Sequence, residues 1–163
     1  MPAPSLPAAV SPSGSATTIR SRVFGQIEIT DDQRITMPDG LIGFPECRSF
    51  ATLPSGRDGF YWLQSLDHET LALLLVDPFL YFDEYIVDLA EPLLQRLGAT
   101  APAEISVLAV VTLPGSTGAV TANLQGPVIF NLSARKAFQA VLSDSPYGTR
   151  EELPLERLAA IPA

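Results

Sequence analysis

The sequence predicts a mainly β fold, either a small antiparallel β-barrel or a barrel-like sandwich, with one or two short helices. Apolar residues alternate with polar ones over short stretches, which is the period-two pattern of a half-buried strand. Turn-forming proline and glycine residues separate these stretches at intervals of about 8–12 residues, as in sandwiches and barrels. Little of the chain has a helical pattern, so the crossovers that a doubly wound parallel sheet needs are missing.

The first half of the chain is predominantly strand-like from Arg20 onward. Phe24, Ile27 and Ile29 stand among polar residues, and the acids at 31–32 indicate a hairpin tip. A short helix is predicted over 92–97, ended by Gly98. Further strands are predicted at 34–37, 49–53, 60–65, 71–76 and 85–89.

The second half repeats the β pattern. Strands are predicted at 105–113, 119–124 and 128–132, with breaks at Pro114-Gly115 and Gly126-Pro127. Residues 136–142 fit a strand by their flanks, but the Ala-rich stretch 134–142 also fits a helix. Both interpretations stay open.

Composition divides the 163 residues into one domain and two ends. Residues 1–18 hold four of the 15 prolines and no charged side chain, which predicts a disordered Pro/Ala-rich tail. Residues 19–153 carry the strands and form the predicted β-barrel domain. Residues 154–163 are predicted to form a C-terminal tail or a short helix.

The charge balance is acidic. Ten basic and 18 acidic residues give a formal charge of −8 and a pI near 4.5. This argues against nucleic-acid binding through the net field of the protein and favours a basic partner.

The sequence predicts neither a signal peptide nor a membrane span. The first ten residues contain no basic side chain and three prolines, unlike a signal peptide. The longest wholly apolar run, 71–76, is far shorter than the roughly 20 residues that a span requires. We therefore expect a soluble, cytoplasmic protein that does not bind membranes.

Catalytic and cofactor motifs are lacking from the sequence. Cys47 is the single cysteine and His68, 21 residues later, the single histidine, so neither a disulfide framework nor a two-histidine metal centre is possible. Cys47 has no nucleophile-like context, and His68 fits a solvated turn. There is no Gly-x-Ser-x-Gly elbow and no glycine-rich phosphate loop. The sequence therefore predicts a non-enzymatic protein without a cofactor or metal.

An acidic, aromatic run is the most informative local feature. Five acids fall within 15 residues, interleaved with Phe79, Tyr81, Phe82 and Tyr85; the acids are Asp77, Asp83, Glu84, Asp88 and Glu91. The run fits a solvated face over a packed aromatic core. It also fits a recognition surface for a basic partner.

Eight residues are candidates for partner contact: Phe44, Gln64, Asp77, Asp83, Glu84, Asp88, Asn123 and Asn131. Structural alternatives stand beside each of them, and for Asp83, Glu84 and Asp88 the alternative is the solvated face. Phe44 fits a core anchor as well as a partner anchor, and Asp77 fits a turn cap. Gln64 needs internal hydrogen bonds unless it lies near a rim. Asn123 and Asn131 interrupt β runs and could bond loop backbone rather than a docked peptide.

Several segments, in order and at matching spacing, resemble the FliW family of flagellar assembly factors over roughly 20–153. Met37 stands where phenylalanine is more usual in that family, and Gly126 where alanine is common. The segments are FGQI at 24–27 and ITMPDGLIGF at 35–44; WLQS at 62–65, LA at 71–72 and VDP at 76–78; TANL at 121–124, GPVI at 126–129 and Asn131; and QAVL at 139–142 with Tyr147 and Arg150.

The resemblance implies a small, mainly antiparallel β-barrel without catalytic activity. Proteins of this family bind flagellin in the cytoplasm, and they also bind CsrA, a small basic RNA-binding protein that represses flagellin translation. Flagellin that accumulates would occupy the family member and leave CsrA free to repress. Exported flagellin would release it to antagonise CsrA, without direct contact to nucleic acid. The acidic charge of this chain suits such a basic partner.

An OB-like barrel that binds single-stranded nucleic acid is the alternative function. Aromatic strands would support it, but the net charge and a single lysine, Lys136, oppose it.

Overall fold

Short strands separated by turns make up most of the computed structural model, which describes residues 16–113 and 118–154. The described part contains one α-helix, α1 (Glu91–Leu97), and single 3-10 turns at Asp31–Gln33, Pro78–Leu80 and Pro102–Glu104. Its strands are β1 (Thr17–Ser21), β2 (Gly25–Ile29), β3 (Arg34–Thr36), β4 (Ser49–Pro54), β5 (Phe60–Ser65), β6 (Ala72–Val76), β7 (Ile105–Thr112), β8 (Thr121–Ala122), β9 (Val128–Asn131), β10 (Lys136–Gln139) and β11 (Glu151–Glu152).

Seven of the strands close into a barrel. They follow the order β9-β10-β3-β4-β5-β6-β7, and pairing between β7 and β9 closes the ring. Neighbours are antiparallel except β10 and β3, which pair in parallel through Lys136 and Thr36. β8 and β11 extend the sheet beyond β7. The prediction of a mainly β barrel with a short helix is confirmed.

The interior of the barrel is filled by large apolar side chains. Because side chains alternate between the two faces of a strand, one set from each strand points inward. This set includes Phe50, Leu63, Leu75, Leu108 and Phe130. The rigid barrel therefore holds its loops and strand ends in fixed positions.

The outer face of β6, β7 and β9 is covered by the long connection between β6 and β7. Tyr81 and Tyr85 from this connection, and Leu97 from α1, pack in one buried cluster with Val107 and Ile129. The hydroxyl of Tyr85 donates to the carbonyl oxygen of Leu124 at 2.7 Å, which satisfies its buried polar group.

The outer face of β4 and β5 is covered by the β1–β2 hairpin. Leu53 and Trp62 pack with Ile29 in a third apolar cluster. The ring of Phe24 meets that of Trp62 edge to face, with centroids 5.3 Å apart.

Two local predictions are wrong. Residues 31–32 are not a hairpin tip, because β2 pairs with β1 and the turn Asp31–Gln33 leads into β3 of the barrel sheet. The buried side chain of Gln33 fixes this turn by accepting from the Thr30 amide and donating to the Thr52 carbonyl. Residues 85–89 form no strand, since this segment packs through side chains such as Tyr85 rather than joining a ladder.

Other boundaries are resolved by the structure. The ambiguous segment after Ala134 forms a strand over Lys136–Gln139. The helix ends at Leu97 as predicted, and Gly98 adopts a left-handed conformation with φ of 73°. β1 starts at Thr17, within the range predicted as the N-terminal tail. Residues 1–15 of that predicted tail lie outside the described residues, as do residues 155–163 of the predicted C-terminal tail or helix. No helix in the described ranges combines the length and apolar character needed to cross a bilayer.

Candidate functional site

A tight loop stands at one open end of the barrel, between β3 and β4. Reciprocal hydrogen bonds join the backbones of Leu41 and Phe44 and place Ile42 at the tip of the loop. Gly40 has φ of 67°, and a Cβ there would lie 2.6 Å from the carbonyl oxygens of Phe44 and Pro45. The close turn therefore requires glycine at this position.

The other side of this opening is built by strand ends. Leu73 lies near the start of β6 and Val110 near the end of β7, and both pack against the interior cluster. Each lies two residues from an interior residue of its strand, Leu75 or Leu108, so both share the inward-facing side and continue it to the rim.

Between the loop and these strand ends lies an open groove of about 410 Å³, which we call the mouth groove. Ile42, Phe44 and Val141 are 64%, 42% and 62% exposed, respectively, so large apolar side chains meet solvent here. The apolar lining consists of Leu41, Ile42, Phe44, Leu73, Val110 and Val141.

Amide side chains connect the two walls of the mouth groove. Gln139 Oε1 accepts from the Ile42 amide at 2.9 Å, while Gln139 Nε2 donates to the Gly126 carbonyl at 2.9 Å. Asn123 Oδ1 accepts from the amides of Gln125 and Gly126, at 3.1 and 2.9 Å. These bonds fix the shape of the groove without a bound partner.

The loop is also tied to the helix. Arg96 on α1 forms a two-pronged ion pair with Asp39, with N–O distances of 2.6 and 2.9 Å, and its guanidinium lies 4.4 Å from the centre of the Phe138 ring. The hydrogen bonds from Arg96 lower the pKa of the Asp39 carboxyl. The loop before the groove is therefore held by charge as well as by backbone geometry.

A second groove of about 480 Å³, the side groove, runs along the connection that carries the acidic run. Ile86 and Asp88 line it, together with Leu93 of α1 and with Leu142. Ile86 is 72% exposed. Val141 lines both grooves, so the two surfaces adjoin.

The structure distributes the eight candidate residues over three settings. Phe44 and Asn123 line the mouth groove, and Asp88 lines the side groove. Asp83 and Glu84 are exposed on the same connection as Asp88. The remaining three are Asp77, Gln64 and Asn131, whose side chains bond to the protein itself.

Burial argues against direct partner contact by Gln64 and Asn131. Gln64 is fully buried, accepts from the Ser21 hydroxyl at 2.7 Å and donates to the Ser65 carbonyl at 2.9 Å. Asn131 donates to the Leu97 carbonyl at 2.7 Å and accepts from the Ala134 amide. Their polar groups are satisfied inside the fold, so both side chains have a structural role.

Asp77 caps the 3-10 turn Pro78–Leu80 by accepting from the Phe79 amide at 3.0 Å. Burial raises the pKa of this carboxyl, and the hydrogen bond from Phe79 opposes part of that rise. The turn-cap interpretation of Asp77 therefore has direct geometric support.

A family model described as "FliW protein" matches residues 18–153. Flagellar assembly factor FliW of Treponema denticola is 42% identical over 142 residues, covering 87% of this chain and 97% of that protein. The protein of the same name from Treponema pallidum is 36% identical over 138 residues, covering 85% and 92%. The chain belongs to the FliW family of flagellar assembly factors.

A solved structure supports the same assignment at the level of the fold. The crystal structure of the flagellar assembly factor FliW superimposes with a TM-score of 0.78 at 29% identity, over 85% of this chain and 98% of that one. The resemblance to FliW that the sequence motifs indicated is thus confirmed.

Most residues that line the mouth groove are not among the sequence candidates, and the most informative of these are Ile42, Gln139 and Val141. Ile42 stands between Gly40 and Gly43, which is a signal for an exposed loop tip. Gln139 and Val141 lie in the segment whose secondary structure was ambiguous, so no face could be assigned to them.

One group of potential metal ligands occurs in the ranges 16–113 and 118–154, outside both grooves: Glu46, Cys47 and His68. Cys47 is fully buried, and this burial raises the pKa of its thiol. The thiol therefore holds its proton more tightly than a free one, and any reaction or metal ligation through the thiolate must first release that proton.

Proposed function

We propose that this chain is a non-enzymatic flagellar assembly factor that binds flagellin in the cytoplasm and antagonises the translational repressor CsrA. The proposal rests on membership of the FliW family together with the two adjoining grooves. It assigns no direct role to nucleic acid or to a membrane.

The single observation that carries flagellin binding is the exposed apolar lining of the mouth groove. Three large side chains, Ile42, Phe44 and Val141, lie in solvent around one concave surface. Covering them would remove apolar area from water, worth about 25 cal/mol per Å² before the costs of association. An apolar segment of flagellin is a suitable occupant, and groove amides such as Gln125 offer hydrogen bonds to its backbone.

The acidic connection is the surface proposed for CsrA. Asp83, Glu84 and Asp88 are exposed there, in a protein of net charge −8. Carboxylates facing an Arg-rich partner raise the association rate, and salt weakens the attraction.

The shared residue Val141 suggests how one partner could displace the other. A segment that fills the mouth groove would cover Val141 and crowd the adjoining side groove. Flagellin would then compete with CsrA by occupying neighbouring surface, without a change of barrel shape.

Competition between purified partners tests this proposal. The tagged full chain is immobilised, and flagellin and CsrA are added separately and together at two salt concentrations. We expect both to bind, CsrA binding to weaken at the higher salt, and excess flagellin to displace CsrA. Binding of flagellin alone would reduce the function to that of a flagellin chaperone, and binding of neither would contradict the proposal.

A charge-reversal variant locates the CsrA surface. Changing Asp83, Glu84 and Asp88 to Lys should weaken CsrA binding at least tenfold by calorimetry, because three attractive charges become repulsive. The matched control changes Glu28, Asp32 and Asp58 to Lys, three exposed acids on other elements that give the same net charge. An equal loss in both variants would mean that only net charge matters.

A further inference from the structure

The single cysteine and the single histidine of the chain lie side by side. Cys47 precedes β4 and His68 follows β5, and antiparallel pairing of these two strands brings the two segments together. With Glu46 they form a group that we call the Cys47 cluster, in which one ligand atom from each residue lies within 4.8 Å of the others.

The cluster combines one buried side chain with two exposed ones. Cys47 is 0% exposed, whereas the side chains of His68 and Glu46 are 53% and 61% exposed. His68 Nε2 lies 4.0 Å from Glu46 Oε1. Because the thiol itself is buried, an ion reaches it only when the exposed side chains of His68 and Glu46 shift.

Hydrogen bonds outside the cluster hold its two segments in register. Asp67 Oδ2 accepts from the amides of Arg48 and Ser49, at 2.8 and 3.0 Å, and so joins the residue before His68 to the residues after Cys47. Ser65 Oγ accepts from the amides of Asp67 and His68, at 3.1 and 2.9 Å, and fixes the turn that carries the imidazole. Backbone hydrogen bonds to Asp67 and Ser65 thus hold the segments that carry Cys47 and His68, independently of contacts among the three ligand side chains.

We propose that Glu46, Cys47 and His68 form a binding site for a borderline divalent transition metal, with Zn²⁺ the best fit. Thiolate, imidazole and carboxylate are the three protein ligand types that zinc accepts, and three of them leave a fourth position for water or an incoming group. On binding, the ion forms bonds to sulfur, nitrogen and oxygen, and the Cys47 proton passes to solvent.

The required movement is small. Ligand atoms about 2.0–2.3 Å from a tetrahedral zinc ion lie about 3.5 Å apart, so the cluster must close by about 1 Å. The exposed side chains of His68 and Glu46 have room to make this adjustment while the buried thiol stays in place.

The site also bears on the loop of the mouth groove. The Cys47 amide donates to the Phe44 carbonyl at 3.1 Å, so the cysteine anchors the end of that loop. An ion bound to Cys47 and His68 would fasten the loop to the turn after β5.

Titration of the untagged, metal-stripped full chain tests the proposal; the absence of a tag matters because a histidine tag binds the same ions. We expect calorimetry with Zn²⁺ to give one ion per chain with a Kd of about 10 μM or tighter. Co²⁺ should bind at the same site and show the charge-transfer absorption of a cobalt–thiolate bond.

Variants assign the ligands. His68→Gln and Cys47→Ser should each weaken Zn²⁺ binding at least tenfold, and Cys47→Ser should abolish the Co²⁺ charge-transfer band. His68 is exposed, so its variant keeps the test valid if the buried Cys47→Ser substitution impairs folding. Glu69→Gln is the matched control, since it removes a neighbouring exposed charge, and it should bind Zn²⁺ as the wild type does. Zn²⁺ binding that is absent, or equal in the wild type and His68→Gln, would overturn the proposal.

Discussion

Two apolar areas of the barrel differ in one respect: the chain covers the first with its β1–β2 hairpin and leaves the second open at the mouth groove. The face formed by Leu53 and Trp62 lies under the β1–β2 hairpin, whose Phe24 and Ile29 fill the space above it. At the mouth groove, Phe44 and Val141 have no such cover from the described residues. The first area contributes to stability, and the second is the one available for recognition.

Glutamine side chains also differ between the two areas, being buried in the covered one and half-buried in the open one. Gln64, under the hairpin, is fully buried and bonds to the Ser21 hydroxyl of β1, which seals the cover. Gln139, in the groove, is half-buried and bonds to the backbone of Ile42 at the loop tip. The same residue type closes one surface and shapes the other, so an amide in a β run does not by itself indicate function.

The largest expected effect comes from breaking the covered face. Trp62→Ala should lower the free energy of unfolding by about 3 kcal/mol, because it removes the ring that packs against Phe24 and leaves a cavity under the hairpin. Urea denaturation measures this loss. At temperatures where the variant is folded, its affinity for flagellin should equal that of the wild type.

Trp62→Phe is the control for that change, since it keeps an aromatic ring and should cost less than about 1.5 kcal/mol. A loss below 1 kcal/mol for Trp62→Ala would mean that the hairpin is not a stabilising cover. A loss of flagellin binding in the folded variant would mean that the covered face also takes part in recognition.

The open surface should respond in the opposite way. Phe44→Ala should weaken flagellin binding about tenfold, equivalent to about 1.4 kcal/mol, because an exposed aromatic anchor is lost. The free energy of unfolding should fall by less, about 1 kcal/mol, because Phe44 is 42% exposed and only part of it packs within the fold. Calorimetry and thermal unfolding of the same sample give the two numbers.

Phe79→Ala is the matched control, because Phe79 is 38% exposed, similar to Phe44, and lies outside both grooves. An equal loss of flagellin affinity in the two variants would contradict the assignment of the mouth groove.

Alternation allowed most strands to be predicted from the sequence. Residues 60–65 form a strand over the predicted range, and the strand predicted at 105–113 ends one residue earlier. The pattern failed at 85–89, where Tyr85 is buried by packing on the barrel's outer face, because local alternation does not distinguish a ladder from such packing. It also could not show that β2 pairs back to β1, since both possible partners are close in sequence.

Less of the candidate site could be predicted, because its residues meet only when the barrel closes. The sequence marks Phe44 as an anchor in a glycine-flanked loop and Asn123 as a polar exception in a β run, but their shared groove depends on the long-range pairing of β3, β7, β9 and β10. Cys47 and His68 show why sequence distance misleads. They lie 21 residues apart, and the β4–β5 pairing between them makes them neighbours.

The outer face under the connection between β6 and β7 is a third area, and the substitution there has the smallest expected effect. The connection after β6 covers another outer face of the barrel. Its first turn is capped by Asp77, which accepts a hydrogen bond from the Phe79 amide. Asp77→Ala should lower the free energy of unfolding by about 1 kcal/mol, because the Phe79 amide loses its acceptor. Asp77→Asn keeps an acceptor oxygen and is the matched control.

The raised pKa of Asp77 fixes the sign of the pH dependence. The folded state holds this proton more tightly than the unfolded chain does, so ionisation costs stability as the pH rises above about 3.8. Asp77→Asn does not titrate and should therefore gain stability relative to the wild type between about pH 3 and pH 7, as measured by urea denaturation across that range. A difference that stays constant with pH would show that this carboxyl is as well solvated in the fold as in the unfolded chain. The connection would then be a loosely held cover, closer in character to the open mouth groove than to the face sealed by the hairpin.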